Sequence, residues 1–168
     1  MARKRYESPL FTIGLFALMF AGIIACIFDP TSLVDTSGKV DIKTISAGQM
    51  AFFILGLMMM IAGFIIRMFA IVALRRNFSG ALRIREGHTL TTHSIFKYVR
   101  HPAYFGAMVL YIGIPVMLSS ILGFLVMLLL VPYLLQRIKY EEKMLIEHFG
   151  NEYVEYMKHT KKLIPFVY

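Results

Sequence analysis

The chain has 168 residues, which is enough for one domain, and 58% of them are hydrophobic while only 17% are charged. This apolar excess exceeds that of ordinary soluble proteins and predicts an integral membrane protein. The formal net charge is +8. The basic residues cluster beside apolar runs, which argues against a nucleic-acid partner. Cys26 is the only cysteine, so a disulfide framework and a cysteine-rich metal site are both excluded.

Apolar stretches recur along the chain. A bilayer core about 30 Å thick needs roughly 20 apolar residues per helix. Residues 10–28 carry no charge, and residues 47–74 carry only Arg67. Residues 103–136 are uncharged but divide at Ser119-Ser120 into two short arms, 103–118 and 121–136, which predict tilt or incomplete crossing. We therefore predict an all-α membrane helix bundle with about four spans.

The first apolar run has a competing interpretation as a cleaved signal peptide, because Arg3-Lys4-Arg5 precede it. The run is long for such a segment, and Phe28-Asp29-Pro30 is not a small-residue cleavage site. We therefore interpret it as the first span.

The distribution of basic residues predicts the topology. Three precede the first span, six lie between Leu74 and Pro102, and six follow Gln136. The positive-inside rule then places both termini and the central loop in the cytoplasm. The short length and the lack of a retention signal favour a prokaryotic plasma membrane. Arg67 inside the second span is either a functional charge or a side chain that snorkels to the cytoplasmic interface.

The composition changes after Gln136 to an amphipathic segment. Apolar residues recur there with helical spacing, and Gly150 is suited to end the helix. A shorter helix is predicted for residues 152–159, and the tail is long enough to fold back under the spans. We treat residues 1–168 as one domain.

The stretch from His88 to Gly106, HTLTTHSIFKYVRHPAYFG, joins a basic loop to an apolar helix. Pro102 suits the first turn of a helix, where the free N–H groups and the helix dipole favour an anion. Arg100 and His101 add donors at the same edge. An anion-binding corner at the membrane surface is the first functional inference.

Glu141-Glu142 follow the last apolar arm, so an antiparallel hairpin brings them to the same end as Arg100-His101. Acids facing a basic corner suit a zwitterionic ligand. The alternative is a solvated start of a helix. No phosphate loop, nucleophile elbow or His-Glu-x-x-His pair is present, and the five histidines lack metal-ligand spacing, so no metal site is predicted.

The stretch GHTLTTHSIFKYVRHPAYFG, followed about 35 residues later by EEKMLIEHFGNEYVEYMKHTKKLIPFVY, resembles the isoprenylcysteine carboxyl methyltransferase family and its phospholipid N-methyltransferase relatives. The similarity covers roughly residues 67–168. It implies a membrane methyltransferase that uses S-adenosylmethionine, with a cofactor region at residues 88–106 and 137–168.

The resemblance also implies roles for individual residues. The implied catalytic residues are Arg100, Glu141 and Tyr104. The implied cofactor-binding residues are His88, Leu90, Thr91, His101, Tyr104, Glu141 and Glu142. Ser94 and Phe96 stand where the family usually has glycine and tyrosine, so no contacts are carried over to them.

The acceptor is expected to be lipophilic or lipid-modified, bearing a carboxylate, an amine or a thiol, and to reach the site from among the membrane lipids. The main alternative is an NADPH-dependent membrane reductase of the sterol type, which has a similar Arg-His-Pro-x-Tyr-x-Gly stretch. A non-enzymatic membrane scaffold is the third candidate, which no feature favours.

Overall fold

The structure is a computed structural model that describes residues 9–33, 39, 45–75 and 89–164. The described chain is helical, apart from a short backbone pairing near the site, and this confirms the predicted all-α membrane fold. A 3₁₀ turn at Ser94–Lys97 precedes the third helix. The helices are α1 (Pro9–Phe28), α2 (Ala47–Leu74), α3 (Pro102–Met117), α4 (Ile121–Leu128), α5 (Leu130–Phe149) and α6 (Asn151–His159).

Three segments of the described chain are long and apolar enough to cross a membrane, namely Phe11–Phe28, Ala47–Leu74 and Ile121–Phe149. Helix α3 has 16 residues, or about 24 Å, less than the roughly 30 Å of a bilayer core. The predicted count of four spans is therefore not confirmed. Phe16 and Phe69 are more than half exposed, as expected of side chains that face lipid.

The predicted fourth span, residues 121–136, is not one helix in the structure. It is divided after Leu128, and its second part continues beyond residue 136. Helix α4 ends at Leu128, because Pro132 lacks the N–H that would bond to the Leu128 carbonyl and its ring crowds that oxygen. Helix α5 then continues past residue 136 to Phe149, where Gly150 ends it with φ 57°. One rigid helix thus joins the membrane segment to both candidate glutamates.

Helices α2 and α3 pack closely in antiparallel fashion through glycines. Gly56 and Gly63 on α2 are seven residues apart, as are Gly106 and Gly113 on α3, so each pair lies on one helix face. An added Cβ at Gly63 would lie 2.5 Å from the Leu110 nitrogen, and one at Gly106 would lie 2.6 Å from the Gly63 carbonyl oxygen. Small residues permit this close backbone approach in membrane helices, which fixes α3 against α2.

Arg67 has a partner inside the protein. Its Nη1 donates to the carbonyl oxygen of Ala103 at 3.0 Å, in the first turn of α3. Of the two sequence interpretations, the structure therefore favours a specific contact over simple snorkelling. The contact holds the end of α2 beside the start of α3.

A buried carboxylate closes the opposite end of the bundle. Asp29, just after α1, accepts hydrogen bonds at Oδ2 from the Ser120 hydroxyl (2.7 Å) and the Leu122 N–H (2.6 Å). Its Oδ1 accepts from the N–H (2.9 Å) and the hydroxyl (2.7 Å) of Thr31. Burial opposes ionisation, but these hydrogen bonds lower the pKa of Asp29 to about 2. The end of α1 thereby caps the start of α4.

Candidate active site

The chain after α6 folds back and pairs with the loop before α3. The N–H of Arg100 donates to the carbonyl of Lys161 at 2.8 Å, and the N–H of His101 donates to the carbonyl of Lys162 at 3.0 Å. The N–H of Lys161 returns a bond to the carbonyl of Tyr98 at 3.1 Å. This short parallel pairing places the tail directly against the Arg-His-Pro corner. The predicted folding back of the tail is observed.

Glu142 is the centre of a buried charge cluster. Its Oε1 lies 3.0 Å from Arg100 Nε and 3.3 Å from His101 Nε2, and its Oε2 lies 3.3 Å from Lys162 Nζ. The Glu142 side chain is 9% exposed and that of Arg100 is 8% exposed. A buried carboxylate needs such partners because its desolvation is costly. Glu142 thus uses both oxygens within the protein.

Arg100 also ties α6 to the cluster. Its Nη1 donates to the carbonyl of Met157 at 3.1 Å and to the carbonyl of Thr160. Its Nη2 has no hydrogen-bond partner among the residues that the structure describes. Arg100 therefore combines an anchoring role with one nitrogen that remains available to a ligand.

A second cluster lies beside the first. The Tyr104 hydroxyl donates to Glu141 Oε2 at 2.7 Å and accepts from Arg137 Nε at 3.0 Å. The other Glu141 oxygen has no partner within the described part of the chain. Arg137 is buried and was not predicted as a site residue. Its spacing of four residues before Glu141, on the same helix face, is the sequence signal that could have identified it.

An apolar cluster lies next to these charges. Met108 of α3, Leu134 and Ile138 of α5, and Leu163 of the tail are buried against one another. Tyr104 packs on this cluster while its hydroxyl faces Glu141. The site therefore lies where polar groups meet the apolar interior of the bundle. This arrangement suits a ligand pair of which one member is polar and the other is lipophilic.

Tyr153 on α6 was also missed as a site residue. It is 1% exposed, and its hydroxyl has no hydrogen-bond partner among the described residues. Burial raises the pKa of the Tyr153 hydroxyl, and the charges of Glu142 and Glu141 raise it further, whereas Arg100 opposes them. Tyr153 thus lies within electrostatic range of both clusters.

Comparison with known proteins agrees with the motifs. The profile of the isoprenylcysteine carboxyl methyltransferase (ICMT) family matches residues 55–147, which is more than half of the chain and includes both clusters apart from the tail. The chain belongs to this family.

Individual ICMT relatives show the same similarity. Protein-S-isoprenylcysteine O-methyltransferase A of Arabidopsis thaliana is 37% identical over 115 residues, which are 67% of this chain and 58% of the plant protein. The Homo sapiens protein-S-isoprenylcysteine O-methyltransferase is 34% identical over 67% of this chain and 40% of its own length.

A solved structure of the eukaryotic intramembrane Ras methyltransferase ICMT superposes with a TM-score of 0.69 and 28% identity. It covers 96% of this chain and 54% of the solved chain. The chain thus spans between 40% and 58% of the length of these relatives.

The remaining residues predicted from the ICMT resemblance lie in the loop before the 3₁₀ turn. Leu90 is half-buried and Thr91 is buried, whereas His88 lies outside the described residues. Ser94, where the family usually has glycine, takes φ 58°, the left-handed region that favours glycine. The ring of Phe96 is buried and its carbonyl accepts from the Tyr156 hydroxyl at 2.7 Å. Phe96 is therefore accommodated by burial of its ring, whereas Ser94 holds a backbone conformation that is strained for a residue other than glycine.

An open cleft of about 510 Å³ lies between α6 and the segment that contains the 3₁₀ turn. None of the predicted site residues of the ICMT pattern lines it. The charged groups of the motifs lie in the buried clusters and not in this cleft. The cleft is lined by Thr92, Lys97, Glu152, Glu155, Tyr156, His159 and Thr160.

Proposed function

We propose that this ICMT-family protein is an S-adenosylmethionine-dependent methyltransferase whose acceptor is a lipophilic carboxylate of the isoprenylcysteine type. The observation that carries the proposal is the pair of buried clusters at the junction of α3, α5 and the tail. Family membership supports the reaction class, and the names of the relatives support the acceptor class. The site lies where a polar donor from solution and an apolar acceptor from the membrane can meet.

The residues present fit the polar part of such a donor. Its ammonium group or ribose hydroxyls can bind the Glu141 oxygen that has no partner among the described residues, and its carboxylate can bind Nη2 of Arg100. Glu142 holds Arg100 and His101 in position and thereby shapes the site. Leu90 and Thr91, in the loop before the 3₁₀ turn, are the proposed cofactor-binding residues of that loop, and the role of His88 rests on the sequence motif alone. When bound, the donor supplies an electrophilic methyl group on a sulfonium.

The chain's own residues contribute positioning and exclusion of water. A carboxylate acceptor is already ionised near neutral pH and needs no general base. The Tyr104 hydroxyl, fixed between Glu141 and Arg137, lines the boundary between the charged clusters and the apolar cluster. Arg137 supplies a second guanidinium close to that boundary. Holding the reactants in line in a dry site accounts for most of the expected rate enhancement.

We further propose that the clusters face the cytoplasm and that both chain ends lie on that side. The basic residues of the central loop and the tail support this orientation. Cysteines introduced at Gly38 and Lys158 should then be labelled from opposite sides of the membrane, and labelling from one side would contradict it. A prokaryotic plasma membrane rests on the sequence alone, because the relatives compared are eukaryotic.

Calorimetry on the purified full chain tests the donor class. We expect binding of S-adenosylhomocysteine and no binding of NADPH, whereas the reverse result would favour the sterol-type reductase. Transfer of a labelled methyl group to N-acetyl-S-farnesylcysteine, compared with a phospholipid amine and a lipophilic thiol, then tests the acceptor. Transfer to the amine or the thiol alone would retain the reaction class and overturn the acceptor.

A further inference from the structure

Tyr153 is the unexplained polar residue of the candidate site. Its side chain extends from α6 and is buried, with 1% of the residue exposed. Its hydroxyl has no hydrogen-bond partner among the described residues. Buried hydroxyl groups without a partner are unfavourable and uncommon in native proteins. A functional role is one reason for a protein to retain such a group.

The neighbouring tyrosine on the same helix provides an internal comparison. Tyr156 lies one turn away, with its ring centroid 5.8 Å from that of Tyr153. The Tyr156 hydroxyl donates to the carbonyl of Phe96 at 2.7 Å and thus joins α6 to the 3₁₀ turn. One tyrosine hydroxyl therefore maintains the fold, while the other has no structural task within the described chain.

The charges around Tyr153 restrict what its hydroxyl can bind. Glu142, Glu141 and Arg100 all act on it electrostatically. Both oxygens of Glu142 contact protein groups, whereas one oxygen of Glu141 has no hydrogen-bond partner among the described residues. A ligand carboxylate placed between the two glutamates would be repelled. A ligand hydroxyl group is favoured, because it can accept from Tyr153 and donate to Glu141.

We propose that Tyr153 is a ligand-binding residue of the methyl-donor site and that its hydroxyl donates a hydrogen bond to a ribose hydroxyl of the bound nucleoside. This inference rests on the proposed function, since it assumes a ribose-containing donor. It assigns recognition of the sugar to α6, which lies outside the residues that the family profile matches. The donor site then includes three elements: the loop before α3, helix α5 and helix α6.

Tyr153→Phe tests the proposal by calorimetry on the full chain with S-adenosylhomocysteine and its 2′-deoxy and 3′-deoxy analogues. We expect the substitution to weaken binding of S-adenosylhomocysteine about three- to tenfold, as for the loss of one hydrogen bond. The analogue that lacks the ribose hydroxyl bound by Tyr153 should bind the wild type and the variant equally, because it cannot form this hydrogen bond with either protein. The ligand-free variant should be no less stable than the wild type, since no protein hydrogen bond is lost.

Tyr156→Phe is the matched control. It should lower the thermal stability of the ligand-free protein, because it removes the bond to Phe96. It should leave the discrimination between S-adenosylhomocysteine and both deoxy analogues unchanged. If Tyr153→Phe, like Tyr156→Phe, lowered the thermal stability and left the discrimination between the ligands unchanged, Tyr153 would be a structural residue.

Several results would overturn the inference. The first is an affinity for S-adenosylhomocysteine that Tyr153→Phe leaves unchanged. The second is an equal loss of affinity for S-adenosylhomocysteine and for both deoxy analogues. The third is a ligand-free Tyr153→Phe variant that is less stable than the wild type or fails to fold. If the wild type binds S-adenosylhomocysteine, each of these removes the role of Tyr153 and leaves the proposed function intact. If the wild type binds NADPH and no S-adenosylhomocysteine, the proposed function falls and this inference falls with it.

Discussion

Two buried carboxylates lie at opposite ends of the helices and are held in different ways. Asp29 accepts four hydrogen bonds from neutral groups, two of them from Thr31 and the others from Ser120 and Leu122. Glu142 contacts three basic side chains, namely Arg100, His101 and Lys162. We name the first the outer cluster (Asp29, Thr31, Ser120, Leu122) and the second the inner cluster (Arg100, His101, Glu142, Lys162).

The difference teaches how to distinguish a structural cluster from a binding site. In the outer cluster the carboxylate is fully used by groups at the ends of α1 and α4, so it fixes the bundle and offers nothing to a ligand. In and beside the inner cluster, Arg100 Nη2, one oxygen of Glu141 and the Tyr153 hydroxyl have no hydrogen-bond partner among the described residues. Buried polar groups with unused capacity are expected where a ligand completes the hydrogen bonding.

The largest effect is expected for Glu142→Ala. Three basic groups would lose their common anion in a buried site, and breaking a buried ion pair costs about 3–5 kcal/mol. Unfolding in detergent micelles should show this loss, together with loss of S-adenosylhomocysteine binding. Glu155→Ala removes an exposed acid on α6 and serves as the control, with stability and binding both unchanged. Equal behaviour of the two variants would contradict the central place of Glu142.

Arg100→Lys should have the next largest effect. Lysine keeps the charge but cannot contact Glu142 and the carbonyls of Met157 and Thr160 together. We expect the free energy of unfolding to fall by about 1.5–3 kcal/mol, as for the loss of hydrogen bonds to a charged group. Hydrogen exchange at the amide of Lys161 should become faster. Lys158→Arg, at an exposed position on α6, should change neither. If exchange is unaffected while S-adenosylhomocysteine affinity falls, Arg100 acts on the ligand and not on the tail.

Asp29→Ala should destabilise the end of the bundle that holds the outer cluster, without changing ligand binding. The Ser120 hydroxyl and the Leu122 N–H would lose their acceptor, which costs about 1–3 kcal/mol. Unfolding should detect this loss, and calorimetry should give unchanged affinity for S-adenosylhomocysteine. A large loss of affinity would mean that the two ends are coupled, and the contrast between the clusters would fail.

The outer cluster should also respond to acid. The pKa of Asp29 is lowered from 3.8 to about 2 in the folded protein. A lowered pKa contributes stability that is complete above about pH 4 and is lost as the pH falls towards 2. The stability difference between the wild type and Asp29→Asn should therefore shrink across that interval. A difference independent of pH would show that Asp29 is not ionised in the folded state.

The smallest effects concern two serines with left-handed backbone, Ser119 at the outer turn (φ 55°) and Ser94 near the inner cluster (φ 58°). Glycine relieves the strain of this conformation. Ser119→Gly should stabilise the protein by about 1 kcal/mol, because it also removes a buried hydroxyl that has no hydrogen-bond partner among the described residues. Ser94→Gly should stabilise by about 0.5 kcal/mol. Thermal unfolding would contradict this account if either variant were less stable than the wild type.

Local patterns in the sequence predicted most of the helices. The apolar stretches 10–28 and 47–74 correspond to α1 and α2 within one residue, and the arm 103–118 corresponds to α3. Gly150 ends α5 as predicted, because its left-handed conformation suits glycine. The break at Leu129 was missed, and so was the continuity of α5 across residue 136, since one helix was predicted to end there and another to begin. A change in composition marks the membrane boundary, but a helix can cross that boundary without interruption.

The sequence by itself determined the helical membrane class, the family and the identity of Arg100, His101, Tyr104, Glu141 and Glu142 as candidate residues, because periodicity, charge distribution and motifs are local properties. Only the tertiary structure decided which groups each of them contacts. The pairing of the tail with the loop before α3 and the capping of α4 by Asp29 join residues that are 60 or more positions apart. The tertiary structure also leaves the buried Tyr153 hydroxyl without a hydrogen-bond partner among the described residues. Such contacts depend on how the helices pack, and no local pattern in the chain encodes them.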